Sequence, residues 1–147
     1  MKKTLIIVAA FFSLTACRKS VTNPTIPEPE VTKTAVWSIT PHADYTQPYY
    51  DNATAEVTLA IARQLENPYR EVTIWDTTFQ RRPMKEFMQF NPYVVTKTIS
   101  GLKDSKDKIT VGYSIRYISG PLNAQQYAAY GAVADRGNST HKVDISL

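Results

Sequence analysis

The sequence predicts an all-β fold, a single antiparallel β-sandwich of about seven strands, and three period-two stretches predict it. Ala55, Val57, Leu59 and Ile61 alternate with Glu56, Thr58, Ala60 and Ala62. Ile109, Val111, Tyr113, Ile115 and Tyr117 alternate with Thr110, Gly112, Ser114 and Arg116, and Val143, Ile145 and Leu147 alternate with Lys142, Asp144 and Ser146. Successive side chains of a strand point to opposite faces, so each stretch offers an apolar face to a core and a wet face to solvent.

Shorter signals complete the set. Ala35, Trp37 and Ile39 precede Pro41; Val72 and Ile74 mark a strand in which Trp75 is out of phase; Val95 and Ile99 mark another. Pro83 to Phe90 is ambiguous: Met84, Met88 and Phe90 fit a strand, while Met84, Phe87 and Met88 fit a helical turn equally well. Turn chemistry falls at Asn67-Pro68, Asn91-Pro92, Gly101 and Gly120-Pro121. With consecutive strands running up and down, the connection 41–53, the turn at Gln80 to Pro83 and the loop 101–108 are expected at one end, and the long connection 119–140 at the other.

The N-terminus has a different composition. Lys2 and Lys3 precede an apolar run from Leu5 to Leu14, the order of a secretory signal. That run is about half the roughly 20 residues a bilayer-spanning helix needs. Leu14, Thr15, Ala16 and Cys17 then read LTAC, which resembles the lipobox of bacterial lipoproteins. The resemblance implies cleavage before Cys17 and diacylglycerol on its thiol, often with a further acyl chain such as palmitate on the new amine. Two or more acyl chains anchor a protein stably where one does not. Position 18 is Arg rather than the Asp associated with inner-membrane retention, so an outer-membrane, periplasmic or surface-facing location is expected.

Cys17 is the only cysteine, so no intramolecular disulfide can form. Residues 17–30 carry Pro24, Pro27 and Pro29 and no glycine, and are expected to run extended as a linker reaching about 40 Å. The expected organisation is a signal peptide over 1–16, a lipidated linker over 17–30 and a sandwich domain over 31–147.

Residues Ile99 to Tyr117, ISGLKDSKDKITVGYSIRY, resemble the corner between strands E and F of immunoglobulin-like and fibronectin type III-like domains. That resemblance implies an immunoglobulin-like sandwich in which Leu102 plugs one end and Tyr113 buries its ring.

Charge narrows the partners. Loss of Lys2 and Lys3 with the signal halves the formal charge of +4, and no clustered basic stripe of the nucleic-acid-binding kind remains. Tyrosine has a rigid apolar face and a polar tip, which suits sugars and partner proteins. Tyr45, Tyr49 and Tyr50, beside Arg81 and Arg82 and with Lys103 and Lys106 nearby, are therefore the expected contact residues; Tyr127 and Tyr130 stand at the other end. The competing expectation is that these rings simply cap the sandwich.

Catalysis finds less support. His42 and His141 are the only histidines, and a hydrolytic triad needs a nucleophile and a carboxylate focused on one of them. His42, Asp44 and Asp51 match no zinc or calcium spacing, and no cofactor motif appears. Asp76-Thr77-Thr78 resembles a bacterial O-glycosylation signal. The expected protein is a non-enzymatic binding or scaffolding lipoprotein of the cell envelope, without metal or cofactor. It meets the bilayer through Cys17 and an envelope protein or glycan through its loops; a carbohydrate-capture accessory and a structural subunit of an envelope complex are the alternatives.

Overall fold

Among the described residues seven strands form: β1 Val31–Thr40, β2 Thr54–Glu66, β3 Tyr69–Pro83, β4 Tyr93–Leu102, β5 Lys108–Ser119, β6 Ala124–Val133 and β7 Thr140–Ser146. The structure is a computed structural model that describes residues 26–66, 68–119 and 124–147, without the side chains of Glu66 and Ala124. The expected signal peptide, Cys17, the expected linker up to residue 25 and the expected turn residues Asn67, Gly120 and Pro121 lie outside the described residues.

The strands make two sheets, β4-β1-β7 and β3-β2-β5-β6, packed as a sandwich. Within the four-stranded sheet β2-β3 and β5-β6 are hairpins, and the other connections cross between sheets. One pairing departs from the antiparallel expectation, because β7 runs parallel to β1, with Thr34 opposite Thr140 and Ile39 opposite Ile145. Both strands set out from the same pole of the sandwich, β7 by way of the 134–139 loop, so they run the same way.

The period-two faces are where the core lies. Ala55, Val57, Leu59 and Ile61 are buried from β2; Ile109, Val111 and Ile115 from β5; Ala35, Trp37 and Ile39 from β1; Val143, Ile145 and Leu147 from the C-terminal segment. Leu102 is also buried. Tyr113 departs from expectation: its ring is half covered and stacks on Tyr130 across the β5-β6 pair, centroids 5.8 Å apart.

In β3 the inward face differs from the one read from sequence. Val72 and Ile74 are exposed, whereas Trp75, Thr77 and Phe79 face inward opposite Ile61, Leu59 and Val57. A register shift between Ile61 and Ala62 leaves Ile74 unpaired, and such a bulge moves the alternation by one residue. Trp75 consequently meets Trp37, centroids 5.4 Å apart. The same phase turns Thr77 of the Asp76-Thr77-Thr78 signal toward the interior, half-buried.

The ambiguous segment is a 3-10 helix, Met84–Gln89, with Met84 and Phe87 buried. Rings from Phe87 through Phe90 and Tyr93 to Phe79 then close the side between β3 and β4.

This helix corrects the placement of the loops. Pairings of Thr54 with Ile118 and with Pro83, and of Ile39 with Tyr93, gather 41–53 and 84–92 at one pole, here called upper. Val31 pairs with Leu102, and Gln64 with Lys108, so the 103–107 loop is at the lower pole, away from 41–53. The two would share a pole only if Pro83 to Phe90 were a strand adding one more reversal. Lys103 and Lys106 thus stand far from the upper tyrosines. The supposed long connection 119–140 contains β6, which carries Tyr127 and Tyr130.

Candidate functional site

At the lower pole a set of polar groups is engaged internally. Lys33 is nearly buried; its Nζ donates to the Asp135 carbonyl at 2.9 Å and the Asn138 carbonyl at 3.3 Å, and pairs with Asp104 Oδ1 at 2.7 Å. Asp104 Oδ2 accepts the Gly137 N–H at 2.6 Å, where φ of +74° suits glycine. The hydrogen bonds from Lys33 and Gly137 hold the Asp104 carboxyl below the usual carboxylate range. Asp107, also buried, accepts the Lys103 N–H at 2.7 Å and pairs with Arg63. Glu28 accepts the Ser105 N–H at 2.8 Å, docking the start of the described chain there. A hollow of about 270 Å³ beside Lys33 is therefore framed by internally satisfied groups.

The upper pole is built differently. Asp44 opens its loop as a local cap, accepting from Thr46 N at 3.0 Å, Thr46 Oγ1 at 2.6 Å and Gln47 Nε2 at 3.1 Å. Those hydrogen bonds, chiefly from Thr46, lower its pKa. Pro48 then starts a 3-10 turn, Pro48–Tyr50, closed by Tyr50 N–H to the Gln47 carbonyl at 2.9 Å. The turn splits its tyrosines: Tyr49 is 88% exposed while Tyr50 packs against the core. Edge-to-face contacts run from Tyr49 to Tyr50 at 5.1 Å and on to Tyr45 at 4.9 Å.

Tyr45 is buried, and its hydroxyl donates to the Leu147 main-chain oxygen. With His42 N–H to that oxygen at 2.6 Å and Leu147 N–H to the Thr40 carbonyl at 2.9 Å, the loop is tied to the C-terminal segment. Tyr45 therefore positions the loop rather than offering a face to solvent.

Between this loop, β5 and β6 lies an open cleft of about 230 Å³. Its apolar side is formed by Ala43, Ala53, Met84 and Ile118; Tyr45, Tyr49, Tyr50 and Tyr117 supply rings, and His42, Thr54, Ser119 and Gln126 supply polar tips. The volume is just under the roughly 300–1,000 Å³ of sites for drug-sized ligands, so it suits one ring or one side chain. Among the described residues no Asp, Glu, Lys or Arg lines it.

The expected arginines part company. Arg81 Nε donates to Thr54 Oγ1 at 2.8 Å and so reaches the cleft rim, whereas Arg82 turns to the Phe87 ring, 6.0 Å from its centroid. Tyr117, Gln126 and Ser119 were not among the expected contacts. Tyr117 stood in the β5 alternation as a core residue, and Gln126 carries no local signal.

His42 Nδ1 meets Ser146 Oγ at 3.3 Å, while Asp44 is engaged by Thr46 and Gln47 instead of orienting the imidazole. Among the described residues no three His, Cys, Asp or Glu side chains gather as metal ligands. His141 is half-buried on β7.

Burial raises the pKa of Tyr45 and of Tyr117 above the ordinary phenol value of 10.0. A raised phenol favours folding at every pH below the unfolded value, and that contribution is lost as pH rises from about 10 through the folded value. Urea midpoints are expected to hold up to pH 10 and then fall, less steeply in Tyr117→Phe than in the wild type. Equal alkaline slopes in the two proteins would refute this.

Comparison of the chain with family models, curated proteins and solved structures returned no match.

Proposed function

We propose that this chain is a lipid-anchored module of the cell envelope that binds a partner, without catalysis, through the aromatic cleft at its upper pole. One observation supports this above the others: the two poles are chemically unequal. At the lower pole, where β1 begins and a linker from Cys17 would arrive, Glu28, Asp104, Asp107 and Lys33 are engaged internally. At the upper pole, a strand length of about 33 Å away, Tyr49 projects beside a neutral cleft. Within one chain, the tether and the open aromatic face thus stand at opposite poles, which leaves the cleft clear of the chain's own linker.

Capture from crosslinked membranes tests the reading. An aromatic hot spot is worth about 2 kcal/mol, so Tyr49→Ala is expected to weaken partner recovery more than tenfold. Tyr50→Ala serves as the second variant, and Tyr45 is avoided because the loop depends on it. Full recovery with both variants, in folded protein, would exclude the cleft.

The neutral lining favours a carbohydrate as one form of partner. A sugar ring can lay its C–H face on tyrosine while Thr54, Ser119 and Gln126 meet its hydroxyls. Retarded migration in neutral polysaccharide gels, lost in Tyr49→Ala, separates this from a protein-only contact or a structural subunit role.

A further inference from the structure

A sandwich that is not closed leaves four edge strands, and natural proteins protect such edges with charge, proline, shortness or bulges. Here the edges are β3, β6, β4 and β7. β3 carries Arg70, Glu71, Asp76, Arg81, Arg82 and Pro83. β4 carries Lys97 and meets β1 through a register shift, and β7 is short with Lys142 and Asp144. β6 has none of these: its sequence AQQYAAYGAV contains no charge and no proline over 10 residues. Tyr127 is 70%, Tyr130 51% and Val133 48% exposed along it. Among the described residues β6 pairs only with β5, so its other row of N–H and C=O groups has no ladder partner.

We propose that this edge pairs antiparallel with β6 of a second copy of the chain, joining two four-stranded sheets into one. The sequence of β6 is complementary to itself. A two-fold axis through Ala129, perpendicular to the sheet, sets Tyr127 opposite Gly131, Tyr130 opposite Ala128, Gln126 opposite Ala132 and Gln125 opposite Val133. Each ring then lies over a residue without bulk, and an aromatic side chain across from an edge glycine covers backbone that glycine leaves bare. No like charges meet, whereas two copies of β3 or β7 would bring charged side chains together. Antiparallel ladders are also the more stable kind.

The pairing closes on itself. Its two-fold is isologous, and the outer strands of the combined sheet on this side become two copies of β3, whose charges and Pro83 resist further addition. The two clefts face opposite ends of the pair.

Full-length mature protein in detergent tests this. Sedimentation should give twice the chain mass for the wild type. Ala129→Lys, which sets two ammonium groups face to face, should give the single mass with an unchanged circular dichroism spectrum. In Ala129→Cys the paired Cα atoms would be about 4.5–5.5 Å apart, within disulfide range, so oxidation should yield a covalent dimer that the wild type, with Cys17 alone, does not form. A monomeric wild type, together with no covalent dimer on oxidation of the Ala129→Cys variant, would overturn the proposal. A disulfide adduct of that variant with a different protein would overturn it equally, assigning the edge to a foreign strand.

Discussion

Trp37→Ala is expected to cost about 3–5 kcal/mol, the range for truncating a fully buried large aromatic. Trp37 has no exposed surface, lies at the centre of β1 and packs on Trp75 of the opposite sheet. Its indole Nε1–H also donates to the Gly112 carbonyl at 3.0 Å, a hydrogen bond between the two sheets. Alanine removes both the packing and this hydrogen bond, two costs that act together. Trp37→Phe separates them: most of the ring volume stays, and the loss of the hydrogen bond alone should cost about 0.5–1.5 kcal/mol. Urea titration followed by far-ultraviolet circular dichroism measures both. A loss below about 1 kcal/mol in the alanine variant, well short of the large-to-small range, would mean the sandwich does not close around this residue.

Gly112→Ala is expected to be nearly as damaging for the opposite reason. A Cβ at this position would lie 2.4 Å from the Tyr130 carbonyl oxygen and 3.1 Å from Gly131 Cα. Both are backbone atoms of β6, so no side-chain rotation relieves the contact, and the strand itself must move. Overpacking costs about 1–3 kcal/mol and sometimes more, and displaced backbone puts this case at the upper end. Hydrogen exchange should show β6 amides opening first, since they are the ones forced away from β5. Gly131→Ala is the control: its Cβ meets only Thr110 Cγ2, at 3.2 Å, which can give way. Equal stabilities for the two variants would show that β6 is free to shift and that the close approach carries no weight.

These two residues also show where reading from sequence succeeds and where it stops. Trp37 sits in phase with Ala35 and Ile39, and local alternation was enough to turn it inward. Gly112 stood on the wet face of β5 as an unremarkable small residue, because the backbone it accommodates belongs to β6 and is distant in sequence from any signal around residue 112. β6 itself was missed for a related reason. Alternation arises when one face of a strand is buried and the other is wet, but from Gln125 to Tyr130 β6 is exposed on both faces. Ala, Gln and Tyr therefore follow one another there without a period.

The candidate site was legible only in part. The tyrosines of 41–53 lie at the pole that holds the cleft, and Tyr49 projects into solvent. Tyr45 turned out to tie down the loop, Arg82 faces Phe87, and Lys103 and Lys106 are at the other pole, because the 3-10 helix at Met84–Gln89 contributes no reversal of chain direction.

Local pattern was sufficient for the all-β class and for the inward faces of β1, β2, β5 and the C-terminal strand, since the period of a strand is local and burial selects its apolar side. Long-range assembly was needed to set which loops share a pole, that β7 runs parallel to β1, that Trp75 rather than Ile74 faces the core, and that Tyr117 and Gln126 meet the 41–53 loop around one cleft. Those outcomes depend on counting reversals and on a single bulge. One residue more or less in the ladder turns every following side chain to the other face, and no run of neighbouring residues records that.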